Sequence, residues 1–170
     1  MICPTCGYDN LPGNEECSNC LQDLTQIDRP APNNRVERSL MEDKVSLLQP
    51  KAPATILPTT TVGDAIKTML NGNFGALLVV DKAQKLVGVF SERDLLTKVA
   101  GIENYGARPV SDFMTPNPES VGLTDTLDFV LHKMDGGGYR HLPVVQDGKP
   151  VGVISVRDML KHITKLCKDG

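Results

Sequence analysis

The chain has 170 residues, 40% apolar and 23% charged, with a net charge of −3. That composition belongs to a globular protein with room for one ordinary domain or two small ones. It gives no general reason to expect nucleic-acid binding, and no apolar run is long enough for a transmembrane helix.

The first segment, residues 1–28, holds four of the five cysteines and no Lys or Arg. The opening MICPTCGYDN lacks the basic and apolar stretches of a secretory signal, so a cytoplasmic protein is expected. In that setting clustered cysteines favour a metal site over disulfides. Cys3-x2-Cys6 and Cys17-x2-Cys20 offer four thiolates, and the ten residues between the pairs can bring the second pair back to the first. Each turn supplies two ligands to a tetrahedral zinc ion, and Gly7 permits the tight turn after the first pair. Four protein ligands close the shell, which makes the expected zinc structural rather than catalytic. Two disulfides, free thiols or a redox pair are the alternatives, although no βαβ unit surrounds the motif. Asp9, Glu15, Glu16, Asp23 and Asp28 make phosphate contact unfavourable and protein contact the better expectation. Cys167, alone near the other end, reads as an inert helix residue.

Residues 29–44, RPAPNNRVERSLMEDK, read as a linker. An internal repeat follows: TTVGDAIKTML from Thr60 with TDTLDFVLHKM from Thr124, and ALLVVDKAQKLVGVFSERDLL from Ala76 with HLPVVQDGKPVGVISVRDML from His141. The copies are offset by 65 residues, and by 64 after a one-residue gap in a turn. Val62, Ala65, Ile66, Met69 and Leu70 have the spacing of an amphipathic helix, as do Leu127, Val130, Leu131 and Met134. Gly72 and Gly136-Gly137-Gly138 are expected to end these helices. Residues 77–80 and 86–90, and in the second copy 142–145 and 151–154, read as hairpin strands, each pair followed by another helix. With short strands at 55–57 and 120–121 the unit is β-α-β-β-α. One such unit buries little core, so residues 45–168 are expected to pack as one double module.

GVFSERDLL, GVISVRDML, RHLPVV and FMTP, at this spacing, resemble a tandem pair of CBS domains, over about three quarters of the chain. The cysteine-rich segment resembles a short zinc ribbon. The expected fold class is α/β (α+β): a knuckle in 1–28, a linker in 29–44, and CBS repeats in 45–105 and 106–170 forming one module. The resemblance implies a regulatory protein that binds adenosine nucleotides such as AMP or ATP, a homodimer joined through helical faces, and no catalytic activity of its own.

Both copies carry G-h-h-S-x-R-D: Gly88, Ser91, Arg93 and Asp94, then Gly152, Ser155, Arg157 and Asp158. Ser-x-x-Asp at a strand-to-helix junction is also a helix cap, and the two roles can coexist. A carboxylate can accept hydrogen bonds from both ribose hydroxyls, and Ser at a helix start suits a phosphate. In the family each cleft joins this motif of one copy to the entry segment of the other. The Asp94 cleft is thus expected to gain Thr115, Pro116, Arg140 and His141, and the Asp158 cleft Pro50, Lys51, Gly75 and Ala76. A hydroxyl and two added cations then make the Asp94 cleft the tighter one. His132 and His162 are expected at the surface, and the triple glycine as a helix stop.

A nucleotide-sensing regulator acting through an unidentified protein partner is therefore the leading expectation. The alternative is a zinc-ribbon factor for nucleic acid or transcription tuned by the repeats, against which the acidic knuckle counts. No nucleophile–base pair, HExxH or phosphate-cradling loop suggests an enzyme.

Overall fold

A computed structural model describes residues 2–11, 14–24 and 32–168. It divides into two compact units, Met1–Asn34 and Arg35–Gly170. In the first, two turns repeat one design. The Cys3 N–H donates to Tyr8 O at 2.9 Å and the Gly7 N–H to Cys3 O at 2.9 Å. Likewise the Cys17 N–H donates to Gln22 O at 2.8 Å and the Leu21 N–H to Cys17 O at 2.9 Å. The residue after each second cysteine is left-handed, Gly7 with φ 71° and Leu21 with φ 59°. Leucine pays a steric cost there that glycine does not. The buried apolar cluster of this unit is small: Cys3, Cys17 and Leu24.

The second unit runs α1 (Arg35–Glu42), a 3-10 turn (Val45–Leu48), β1 (Thr55–Ile56), α2 (Val62–Gly72), β2 (Ala76–Val80), β3 (Leu86–Ser91) and α3 (Glu92–Asp94). Helix α3 widens into a π-helical turn, Leu95–Val99. Two short 3-10 turns lead to β4 (Thr115–Pro116), then α4 (Leu127–Gly137), β5 (His141–Gln146), β6 (Lys149–Ser155) and α5 (Val156–Lys168). This is the mixed α+β architecture, with one β-α-β-β-α copy followed by a second whose first strand is reduced to a bridge. Thr61 and Thr126 cap α2 and α4, accepting from the N–H groups of Asp64 and Phe129.

Three details depart from the expectation. Helix α1 lies within the stretch read as a linker. Its apolar positions are too few to show a stripe, yet Leu40 packs against the second core and Ser39 is buried. Helix α2 is capped by Asn73 in the left-handed region at φ 52°, not by Gly72. The strand expected at 120–121 is a single parallel bridge, Val121 to Val144.

The sheets show how the copies interlock. In the first, β1 runs parallel to β2, β2 pairs antiparallel with β3, and β3 with β4, in the entry segment of the second copy. The second sheet has the hairpin β5–β6, with Val121 bridging β5 and Lys51, in the entry segment of the first copy, bridging β6 at Val153. Each copy therefore borrows its outer edge from the entry segment of the other. The cores borrow as well: Val110 and Phe113 join Val62, Leu77 and Phe90, whereas Val45 joins Leu127, Leu142 and Ile154.

The motif glycines admit these borrowed edges. A Cβ on Gly152 would stand 2.5 Å from Pro50 Cβ, and one on Gly88 would strike Met114 Sδ. A proline ring cannot swing aside, but a methionine thioether can. Gly152→Ala is expected to cost about 1–3 kcal/mol by overpacking, and Gly88→Ala less. Urea unfolding of the two variants checks the ranking, and the reverse order would sink this account of the borrowed edges.

Candidate functional site

Each Ser–Asp pair is a closed capping box where strand meets helix. Ser91 donates to Asp94 Oδ2 from its N–H at 2.8 Å and from its hydroxyl at 2.7 Å. Ser155 does the same to Asp158 Oδ2, at 2.9 and 2.6 Å. The capping role thus exists in both copies and fixes one carboxylate oxygen in each.

The other oxygen distinguishes the copies. Asp94 Oδ1 lies 2.6 Å from Lys98 Nζ and accepts from the Thr115 hydroxyl at 3.4 Å. Lys98 also donates to Phe113 O at 3.0 Å and Thr115 Oγ1 at 3.2 Å. Asp158 Oδ1 has no partner among the described residues. The residue four past Asp158 is His162, whose Nε2 instead lies 2.7 Å from Ser39 Oγ, with Ser39 also donating to Asp43. His162 is thus only 15% exposed, not at the surface as expected.

Two open cavities hold these carboxylates. The Asp94 cleft, about 650 Å³, brings together Ser91, Arg93, Asp94, Thr115, Arg140 and His141. Pro116 is not part of its wall; it pairs with Gly88 in the sheet. Arg93 donates to Gly138 O at 3.5 Å, which ties it across to the end of α4. The Asp158 cleft, about 700 Å³, is lined by Asp158, Pro50 and Lys51 as expected, but not by Ser155 or Arg157. Gly75 lines the Asp94 cleft instead, because His141 packs on it: a Cβ on Gly75 would meet His141 Nε2 at 3.0 Å. Ala76 is buried in β2.

The expected surplus of cations in the Asp94 cleft does not hold. Burial pushes the His141 imidazole below its ordinary value, against the pull of Glu92 and Asp158, which favours its uncharged form. Arg93, Lys98 and Arg140 face Glu92, Asp94 and Glu119 there. The Asp158 cleft is the basic one, with Lys51, Lys161, Lys165 and Lys168. Lys98, His162 and the helix α5 lysines were missed in the sequence. The only signal for Lys98 was its i+4 spacing from Asp94.

In the first unit the Sγ atoms of Cys3, Cys6, Cys17 and Cys20 all lie within 4.8 Å of one another. Cys3 to Cys20 and Cys6 to Cys17 are each 3.6 Å. A tetrahedral shell with Zn–S near 2.3 Å has sulfurs about 3.8 Å apart, so the cluster fits a zinc knuckle. Burial pushes the Cys17 thiol up, but the N–H groups of Cys20 and Asn19, with the Asn10 side chain, hold it down at about 6. The Gln22 N–H favours a Cys20 thiolate, but the Cys6 sulfur, burial and the Cys3 sulfur push that thiol up to about 12. Four thiolates this close need a cation to ionise together. Asn10, missed in the sequence, is buried and ties the turns together. Its side chain accepts from the Ser18 N–H at 2.9 Å and donates to Cys17 Sγ at 3.5 Å and Tyr8 O at 3.1 Å.

A two-copy module with a Ser-held carboxylate on the wall of a cleft in each copy, in a chain that also carries a four-cysteine knuckle, defines a class of protein rather than a single activity. The CBS domain pattern matches residues 45–101 and 110–165, and the chain belongs to the CBS domain family. It is 33% identical over 128 residues to the uncharacterized 17.7 kDa protein in bps2 3'region of Acidianus ambivalens, covering 72% of this chain and 74% of that one. It also matches longer CBS domain-containing proteins of Arabidopsis thaliana, of which it spans 20–22%. The crystal structure of the CBS-domain containing protein ATU1752 from Agrobacterium tumefaciens aligns with a TM-score of 0.63 at 33% identity, over 69% of this chain and 96% of that one. CBSX2 in complex with AMP aligns with a TM-score of 0.65 at 25% identity, over 72% and 97%. Among the described residues no helix is long and apolar enough to cross a membrane.

Proposed function

We propose that the protein is a regulatory sensor of adenosine nucleotides, AMP or ATP, which acts through protein contacts and catalyses no reaction. The observation that carries this reading is the pair of Ser-held carboxylates, each on the wall of a cleft built from both copies. Such a carboxylate suits a ribose diol, and the AMP complex of CBSX2 supports an adenosine ligand. Within the Asp94 cleft Ser91, Asp94, Thr115, Arg93, Arg140 and His141 are the proposed contacts. In the other they are Asp158 and Lys51, with Ser155 holding the Asp158 carboxylate in place, while Arg157 and Pro116 stand outside the cleft linings.

Residues 1–28 form the knuckle in this reading, and 45–105 and 106–170 the two repeats. Cys3, Cys6, Cys17 and Cys20 hold a zinc ion that supplies folding energy and no chemistry. Exposed Ile2, Leu11 and Leu21, set among acidic residues, suit this knuckle to a protein partner rather than nucleic acid. Exposed Leu70 on α2 with Phe129 and Leu131 on α4 support a homodimer through helical faces. Reduced thiols fit a cytoplasmic setting.

Mass spectrometry of ligands released from freshly purified protein, followed by calorimetry, tests the reading. AMP and ATP should each bind saturably, and joint replacement Asp94→Asn with Asp158→Asn should weaken binding by about 10-fold or more. Absence of heat with every adenine nucleotide would leave the module a docking scaffold.

A further inference from the structure

The two clefts differ in charge and in whether their carboxylate is already taken. Four lysines line the Asp158 cleft against one carboxylate, whereas three cations meet three carboxylates in the Asp94 cleft. Lys161, Lys165 and Lys168 follow one another at i, i+4 and i+7 along α5, so they share a helix face. Lys51 joins them from the borrowed edge beside Val153. None of the four forms an ion pair among the described residues. Like charges gathered in a concave site raise its potential and attract polyanions.

The carboxylates differ in the same direction. Lys98 occupies Asp94 Oδ1 at 2.6 Å, and its ammonium is fixed further by Phe113 O and Thr115 Oγ1. A diol reaching Asp94 has to share or displace that ammonium. At the matching place in the other copy, His162 is turned away onto Ser39, so Asp158 Oδ1 remains open. Charge and acceptor are therefore both available in one cleft and both neutralised in the other.

We propose that the Asp158 cleft is the site for a polyphosphorylated adenosine ligand, with the diol on Asp158 and the phosphates along Lys51, Lys161 and Lys165. Lys98 is the specificity residue that holds the Asp94 cleft against the same ligand. This rests on the adenosine reading above and reverses the order of the clefts expected from sequence.

Calorimetry on the full zinc-loaded chain, with ATP and with adenosine, tests it. ATP should bind more tightly than adenosine, by a margin that shrinks as salt rises. Lys161→Glu with Lys165→Glu should weaken ATP by at least about 10-fold while adenosine stays within about 2-fold. Because both lysines are exposed, retained adenosine binding also shows that the variant is folded. Lys98→Met should leave the ATP site intact and strengthen adenosine binding at a second site. ATP affinity indifferent to the double reversal but lost in Arg140→Glu would overturn the division between clefts and leave the adenosine reading standing. Equal loss of adenosine and ATP in the double reversal would overturn it as well. Failure of the wild type to bind either ligand would overturn both readings together.

Discussion

Chelation of the zinc-loaded protein is expected to unfold residues 2–24 and leave the unit Arg35–Gly170 folded. Among its described residues the first unit has three buried apolar side chains, and two of them belong to the proposed ligands Cys3 and Cys17. Its turns are closed by a few backbone hydrogen bonds, with Leu21 in a left-handed conformation that opposes folding. Nothing comparable to a core offsets the chain entropy of ordering this segment. Metal binding to a structural site of this kind contributes about 10–16 kcal/mol, far more than the remaining contacts can supply. The second unit has two cores of its own, centred on Phe90 and on Leu142 and Ile154, and shares none of these ligands. Metal analysis should give one zinc per chain. After chelation four thiols should become titratable, and amide signals of residues 2–24 should collapse to the narrow dispersion of unfolded chain. A knuckle that keeps dispersed amides with its metal stripped, or protein purified anaerobically with little zinc and all four thiols reactive, would sink the prediction.

Asp94→Ala should destabilise the second unit by about 2–3 kcal/mol, against about 1 kcal/mol for Asp158→Ala. Each replacement removes a capping box, which is typically worth about 1 kcal/mol. Asp94 carries more. It is 5% exposed, and its Oδ1 joins Lys98 and Thr115, so four donor groups lose an acceptor when it goes. The Lys98 side chain is 41% exposed, which screens the ion pair and limits its share to under about 1 kcal/mol. Asp94→Asn, which keeps the shape and one acceptor, should fall between wild type and Ala. Guanidinium unfolding of the three variants decides the matter. Equal losses at Asp94 and Asp158 would mean that the Lys98 and Thr115 contacts add nothing to the cap.

Sequence alone determined the elements and the chemistry carried by local spacing. The CxxC pairs announced the knuckle because two ligands within one turn need no distant contact to be recognised. The repeat announced two β-α-β-β-α copies because α2 and α4 show their buried faces as a 3.6-residue period. The Ser–Asp caps were legible for the same reason, since their partners stand three residues apart. Helix α1 was not, because its burial comes from α4 and α5, far along the chain. The exchange of edges was expected only through the family resemblance, which joins the motif of one copy to the entry segment of the other; packing shows how it is made, with Lys51 bridging β6 and Thr115 pairing with β3. Tertiary structure also decided the balance of charge between the clefts. Lys98 neutralises Asp94, burial favours the uncharged form of His141, and three lysines of α5 gather with Lys51 around Asp158. Those effects depend on distance and burial in space, which a count of cations along the chain does not contain.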